Sequence, residues 1–303
     1  MIGNKKNQIF FIVAFIAIVV IVVSLYKIKV YAENERIAKQ ALAEIQAKKE
    51  LEEKLKTSID GAGVVARSVS VYDLKLKKKL YSRNDKEILP LASLTKIMTA
   101  IVALDNIEEN TIKISKEGLK QKGDYGLMPG EIWNKNDLTK FTLVISSNDG
   151  AQVLVEYVTD FIHKMNVKLT ELDIQNTKFS NATGLDLNSS EAGAYGTAED
   201  VNKLAIYALE KHPEVFLATT EPVMTFISNS GFTHTVENTN LSLAKIPNII
   251  FSKTGLTNLA GGNLVVIFEN LRGHKIAVTI LGSTETERFS DIEKIVKILY
   301  NHG

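Results

Sequence analysis

Leu89-Pro-Leu-Ala-Ser-Leu-Thr-Lys-Ile-Met-Thr-Ala-Ile-Val102 is a proline stop followed by an apolar run of helical character. Pro90 ends whatever precedes it, and a helix is expected to begin at Ser93. Ser93 and Lys96 stand three residues apart, so one face of that helix presents both. A hydroxyl beside an amine that is kept neutral is a nucleophile with its own base. At a helix start the Ser93 backbone N–H also lies at the positive end of the dipole, where an oxyanion is held. The spacing alone decides nothing. The chain repeats S-x-x-K at Ser24/Lys27 and Ser242/Lys245, pairs to which no chemistry is assigned. A serine at a helix start is ordinarily a cap, so other parts of the chain must single out Ser93.

Outward from that stretch, Gly61 and Gly63 open a new unit. Residues 64–72 are β-rich, with 79–82 as the hairpin partner. The Ser93 helix should end near Asp105-Asn106. Residues 110–245 read as mixed and mostly helical, with helices at 138–145 and 151–169 flanking Ser146-Ser-Asn-Asp-Gly150. Residues 176–196 are loop-rich. Thr197-Ala-Glu-Asp200 caps a helix running to Lys211, with Pro213 beyond. After Pro247, residues 248–253, 263–269 and 275–281 are β-rich runs separated by glycine-containing turns, and 288–301 is helical. Two strands early and three late imply one sheet closed by distant segments. The chain between them, about 106–245, forms a helical subdomain. That is an α+β domain with a cleft where the parts meet, a favoured place for a site.

The chain has 303 residues, 45% of them hydrophobic, and a net charge of +1. That is room for a sizeable core, and nothing points to nucleic acid. The absence of cysteine excludes disulfides, thiolate zinc sites and a cysteine nucleophile. The five histidines, at 163, 212, 234, 274 and 302, have no metal-ligand spacing and read as surface or structural. Asp124 and Glu131 also read as structural.

The N-terminus is the compositional outlier. Residues 9–23 are unbroken apolar, and 8–26 carry no charge, close to the length that crosses a bilayer. We read residues 1–32 as an uncleaved transmembrane anchor. The alternative is a signal peptide cut near Val30-Tyr31-Ala32. Lys5 and Lys6 precede the span, while Lys27, Lys29, Arg36 and Lys39 follow it, so flanking charge does not give the orientation. Residues 33–58 lack Gly and Pro and are rich in helix formers. Ile37, Ala41, Ile45, Leu51 and Leu55 give a partial apolar stripe that Lys48 breaks, the pattern of a solvated helical stalk rather than a coiled coil. Residues 59–303 then form the catalytic domain.

Three short motifs fall in order at the ends of expected elements: Ser93-Leu-Thr-Lys96, Ser146-Ser-Asn148 and Lys253-Thr-Gly255. Here the chain resembles the penicillin-recognising serine hydrolases, and most closely the low-molecular-mass D-alanyl-D-alanine peptidases. The resemblance runs from about Gly63 to His302. It includes Asn181-Ala-Thr-Gly-Leu-Asp186, Tyr195-Gly-Thr-Ala-Glu-Asp200, Asn238-Thr-Asn240 and Lys253-Thr-Gly-Leu-Thr-Asn-Leu-Ala-Gly261. Any one of these could be chance; the ordered set hardly could.

The resemblance implies a β-lactamase/D,D-peptidase-like α+β fold: a five-stranded antiparallel sheet, flanking helices and a helical subdomain. It implies that Ser93 attacks the carbonyl between two D-alanines of a peptidoglycan stem peptide and forms an acyl-enzyme, and that β-lactams inhibit. Lys96 must be neutral to take the proton; proximity to Lys253 and removal from water lower its pKa. Ser146 passes a proton to the leaving amine, Asn148 holds the substrate backbone, and Thr254 meets the terminal carboxylate. Gly255 lets the substrate lie against the strand as an added strand. The N–H groups of Ser93 and Leu256 form the oxyanion hole. Arg288 roughly matches a basic residue that meets the free carboxylate. No cofactor or metal is implied.

Departures from the family pattern sharpen the alternatives. The small β domain and amphipathic C-terminal anchor of many such carboxypeptidases are expected to be absent, with the N-terminal span as the anchor. Ser147 and Gly150 replace commoner small residues. The short form also looks like endopeptidases that cut peptide cross-links, and the motifs do not separate the two activities. A class A β-lactamase needs a deacylating glutamate, but no E-x-x-L-N follows Glu171. A non-catalytic sensor that stays acylated is the third alternative, and turnover distinguishes it.

Overall fold

A computed structural model describes residues 3–123 and 125–301. Asp124 and His302 lie outside the described residues, as do the side chains of Lys5 and Lys48. The chain divides into two compact units, Met1–Lys54 and Leu55–Gly303. The first is helical throughout its described part, within helix α1 (Gly3–Asp60). Its apolar stretch falls in Lys6–Ala43, which is long and apolar enough to hold a membrane span, and Ile9, Phe10 and Phe11 there are exposed.

In the second unit the early and late β-rich runs join one sheet. Its strands are β1 (Ser68–Asp73), β2 (Lys78–Arg83), β3 (Ile249–Thr257), β4 (Gly261–Glu269) and β5 (Lys275–Ser283). The order is β3-β4-β5-β1-β2, antiparallel throughout. The alternation of side chains explains why it is buried on both faces. Leu264, Val266 and Phe268 of β4 face one hydrophobic core, and Val265 and Ile267 face the other. Helix α7 (Glu287–Asn301) covers the first face with Ile292, Ile295, Val296 and Leu299. The last turns of α1 add Leu55 and Ile59 to that core. Asp60, at the end of α1, accepts a hydrogen bond from the Tyr81 hydroxyl at 2.6 Å. Against the other face packs α6 (Ala198–Lys211), capped by the Thr197 side chain as expected. Asn202 of α6 ties it to the sheet, donating to the Ser70 carbonyl and accepting from Thr279 Oγ1.

The helical part departs from expectation in detail. Helix α2 is Thr95–Asn106, α3 is Lys135–Val144, α4 is Asn148–Val155 and α5 is Phe161–Glu171. The single helix expected over 151–169 is therefore two, broken where Asp160 adopts a left-handed φ of 56°. The loop-rich segment 176–196 contributes short strands Lys178–Phe179 and Ala194–Gly196, the latter pairing with Leu89–Pro90. An unforeseen hairpin joins Val223–Ile227 to Thr233–Glu237. Its inward residues include His234, whose Nε2 lies 2.6 Å from Glu131 Oε1. His212 and His274 likewise pair with Asp105 and Asp73.

Candidate active site

Ser93 is not quite at an α-helix start. It sits in a 3₁₀ turn, Ala92–Leu94, that runs into α2. Ala92 before it takes a left-handed φ of 49°, a conformation that costs an L-residue energy and needs surroundings that enforce it. Those surroundings are visible. Leu91 N donates to the Ala194 carbonyl at 3.0 Å, Asn263 Nδ2 to the Pro90 carbonyl at 2.9 Å, and Thr95 Oγ1 to the Ala92 carbonyl at 2.7 Å. Gly184, with a φ of 77°, lies so close to the Ala92 carbonyl that a Cβ there would collide with it.

Lys96 is fully buried, and its amine has three neighbours: Ser93 Oγ at 3.0 Å, Asn148 Oδ1 at 2.7 Å and the Thr183 carbonyl at 2.7 Å. Burial first, and the nearby Lys253 charge second, push this amine well below its ordinary pKa. A neutral amine has two N–H groups and one lone pair. Asn148 Oδ1 and the Thr183 carbonyl only accept, so they take the two N–H groups. The lone pair is left facing the Ser93 hydroxyl, the arrangement a general base needs.

Ser146 occupies a second left-handed position, φ 61°, between α3 and α4. Lys253 Nζ donates to Ser146 Oγ at 2.9 Å and to the Thr254 carbonyl at 3.0 Å. Burial, with the Arg288 guanidinium second, lowers the Lys253 ammonium to about 7. The second motif starts α4, capped by the Ser147 side chain on Gly150 N at 2.9 Å. A Cβ at position 150 would run into Thr142 Oγ1, which explains the glycine.

Strand β3 is an edge strand and carries the third motif past the Ser93 turn. A Cβ at Gly255 would lie 2.9 Å from the Leu91 carbonyl and 3.3 Å from Ala92 Cβ. The glycine thus makes room for the nucleophile's own turn. Leu256, next along the edge, is partly exposed at 39%. Thr254 Oγ1 is 2.6 Å from Thr239 Oγ1, so Asn238-Thr-Asn240 reaches the same strand. Arg288, in the first turn of α7, is buried and donates through Nη1 to the Gly255 carbonyl at 2.8 Å. Asn148 differs from expectation in its bonding. Both its N–H groups are engaged, with the Lys122 carbonyl at 2.8 Å and the Tyr125 hydroxyl at 2.9 Å.

The structure brings Ser93, Lys96 and Asn148 into one hydrogen-bonded group, and Ser146, Lys253 and Thr254 into another. Ser242 and Lys245 instead both bond the Glu293 carboxylate. Residues that sequence reasoning did not place are Tyr125, Thr183, Thr239 and Asn263. Thr183 and Thr239 both lie inside quoted motifs, but Thr183 acts through its backbone, which no residue type signals.

The family model described as D-alanyl-D-alanine carboxypeptidase matches residues 54–284. A D-alanyl-D-alanine carboxypeptidase of Bacillus subtilis, DacF, is 30% identical over 251 residues, covering 78% of this chain and 62% of the relative. A D-alanyl-D-alanine endopeptidase of Escherichia coli is 33% identical over 214 residues, 67% of each chain. The chain thus spans about three fifths of the length of the first of these relatives. Penicillin-binding protein D2 of Listeria monocytogenes, solved in its ampicillin-bound form, superposes with a TM-score of 0.68 at 28% identity, covering 78% of this chain and 98% of that one. This chain belongs to the D-alanyl-D-alanine carboxypeptidase family.

Proposed function

We propose that the protein is a membrane-anchored serine D-alanyl-D-alanine carboxypeptidase that removes the terminal D-alanine of peptidoglycan stem peptides. The observation that carries the reading is the buried Lys96 amine, 3.0 Å from Ser93 Oγ and 2.7 Å from two acceptors, Asn148 Oδ1 and the Thr183 carbonyl, which in the neutral form leaves its lone pair for Ser93. Ser93 Oγ bonds to the penultimate carbonyl carbon as its proton passes to Lys96. The N–H groups of Ser93 and Leu256 hold the oxyanion. The C–N bond then breaks, and the leaving D-alanine takes a proton through Ser146, beside the Lys253 ammonium. Water hydrolyses the acyl-enzyme and frees Ser93. The substrate lies along the exposed edge of β3, with its carboxylate near Thr254, Lys253 and Arg288. A β-lactam acylates Ser93 in the same way, but its leaving group stays tethered.

In this reading residues 1–32 anchor the chain, 33–58 form the stalk and 59–303 the catalytic domain, held outside the cytoplasm where the substrate is. A second reading, D,D-endopeptidase, is favoured by the similarity to the Escherichia coli endopeptidase over two thirds of both chains. It uses the same chemistry with a cross-linked strand as leaving group.

The test is incubation of the detergent-solubilised full chain with a disaccharide pentapeptide and with a cross-linked dimer, read by mass spectrometry. Repeated loss of one alanine supports the carboxypeptidase, and splitting of the dimer supports the endopeptidase. Labelled penicillin should acylate the wild type and not Ser93→Ala. Wild-type protein that never labels would sink both readings.

A further inference from the structure

Where the Lys96 lone pair points depends on which end of the Asn148 amide faces the amine. A carboxamide can rotate by half a turn and present N–H in place of C=O. With Nδ2 toward Lys96, the amine's lone pair would accept from the amide, and an amine N–H would point at Ser93 Oγ. The base would then be occupied. Something must hold the amide with its oxygen inward.

We propose that Tyr125 is a positioning residue for the reaction: its hydroxyl, together with the Lys122 carbonyl, fixes the Asn148 amide so that Oδ1 faces Lys96. Asn148 Nδ2 donates to the Tyr125 hydroxyl at 2.9 Å and to the Lys122 carbonyl at 2.8 Å. The carbonyl can only accept, so it fixes the end that carries the hydrogens. The hydroxyl completes the pair and occupies the second hydrogen. The Tyr125 ring is half-buried against the main hydrophobic core, which holds the hydroxyl in place. Burial first raises the Tyr125 pKa, so the phenol stays neutral through the working range.

The backbone is built around this ring. Gly123 has a φ of 106°, and a Cβ there would lie 2.8 Å from the Tyr125 ring and hydroxyl. A side chain at 123 would push the ring off Asn148. Among the described residues the Tyr125 hydroxyl bonds Asn148, and it is through that amide that it bears on Lys96.

This inference rests on the proposed serine-peptidase chemistry, and the test separates the two. Acylation of the full chain by labelled penicillin is followed by stopped flow, which resolves the non-covalent dissociation constant from the acylation rate constant. Tyr125→Phe should lower the rate constant by about three- to tenfold, the worth of one hydrogen bond. The dissociation constant and Tm should stay at wild-type values. Gly123→Ala, which displaces the ring, should copy that loss. In an Asn148→Ala background, Tyr125→Phe should have no further effect, because nothing remains to orient. Wild-type rates in Tyr125→Phe, or an equal loss in both backgrounds, would overturn the role of Tyr125. A wild-type chain that is not acylated at all overturns the proposed function instead.

Discussion

Lys253 Nζ donates to Ser146 Oγ at 2.9 Å, joining the third motif to the second across 107 residues of sequence. The donor is an ammonium that burial, and then the Arg288 charge, lower to about 7. A group poised there changes charge within the working range of the enzyme.

The first prediction concerns pH and activity. Acylation requires Lys96 neutral and Lys253 protonated, so kcat/KM should be bell-shaped. The alkaline limb belongs to Lys253 and should fall near pH 7. Lys253→Arg keeps its proton at every accessible pH and should move that limb upward. A penicillin acylation profile measures both, and an unmoved limb would contradict the assignment.

The same group predicts how stability depends on pH. Its folded pKa, about 7, lies below the ordinary 10.5, so between those values the unfolded chain binds more protons. Stability should therefore rise with pH from about 7 toward 10.5, and below 7 the full penalty applies. Lys253→Met removes the ionisable group and should flatten the rise. Thermal melts at neutral and alkaline pH, compared with wild type, check it; parallel curves would refute it.

Lys96→Met removes the base while keeping an apolar stem of similar length. The acylation rate should drop by about 10²- to 10⁴-fold, the usual worth of a general base. Relief of a buried amine is set against two hydrogen bonds lost to Asn148 Oδ1 and the Thr183 carbonyl, so the fold should survive with at most a modest fall in Tm. Loss of folding together with activity would instead make Lys96 a structural residue.

Gly184→Ala tests the clamp on the Ser93 turn. Both the φ of 77° and the closeness of the Ala92 carbonyl oppose a Cβ. We expect a stability loss of about 2–3 kcal/mol together with slower acylation. Gly63 is the control: its φ is 65°, but nothing lies within 4 Å of its would-be Cβ. Gly63→Ala should cost about 1 kcal/mol and leave acylation unchanged. Urea denaturation and penicillin labelling of the two variants decide between strain alone and a displaced nucleophile.

Much of this was legible in the sequence where the signal is local. Ser93 and Lys96 share a helix face by spacing, and β3, β4 and β5 announce themselves as β-branched runs between glycines. Thr197 reads as a cap and is one. What escaped is what tertiary closure creates. Thr183 contributes only a carbonyl, and Tyr125 matters only because the chain around Gly123 folds back on Asn148. Asp160 breaks a helix through a left-handed backbone that an aspartate seldom adopts, so helical periodicity ran on past it. The Val223–Ile227 hairpin strand carries Val, Phe and Ile, a short β signal set among segments of helical pattern that mask it. A glycine at 255 suggests space for a substrate, and in the structure Leu91 and Ala92 lie against that position.

The strand order has a consequence for biosynthesis. Strand β1 is paired on one side by β5, with Ser68 opposite Leu281. A chain emerging N-terminus first therefore makes β1 long before its partner exists, and the sheet stays open until β5 arrives. Lys253 comes late as well, so the cluster that tunes Lys96 is absent from every shorter nascent chain. Pairing between segments so far apart is slow to form. Neither the complete sheet nor the bond from Lys253 to Ser146 can therefore form until the chain through β5 has been made.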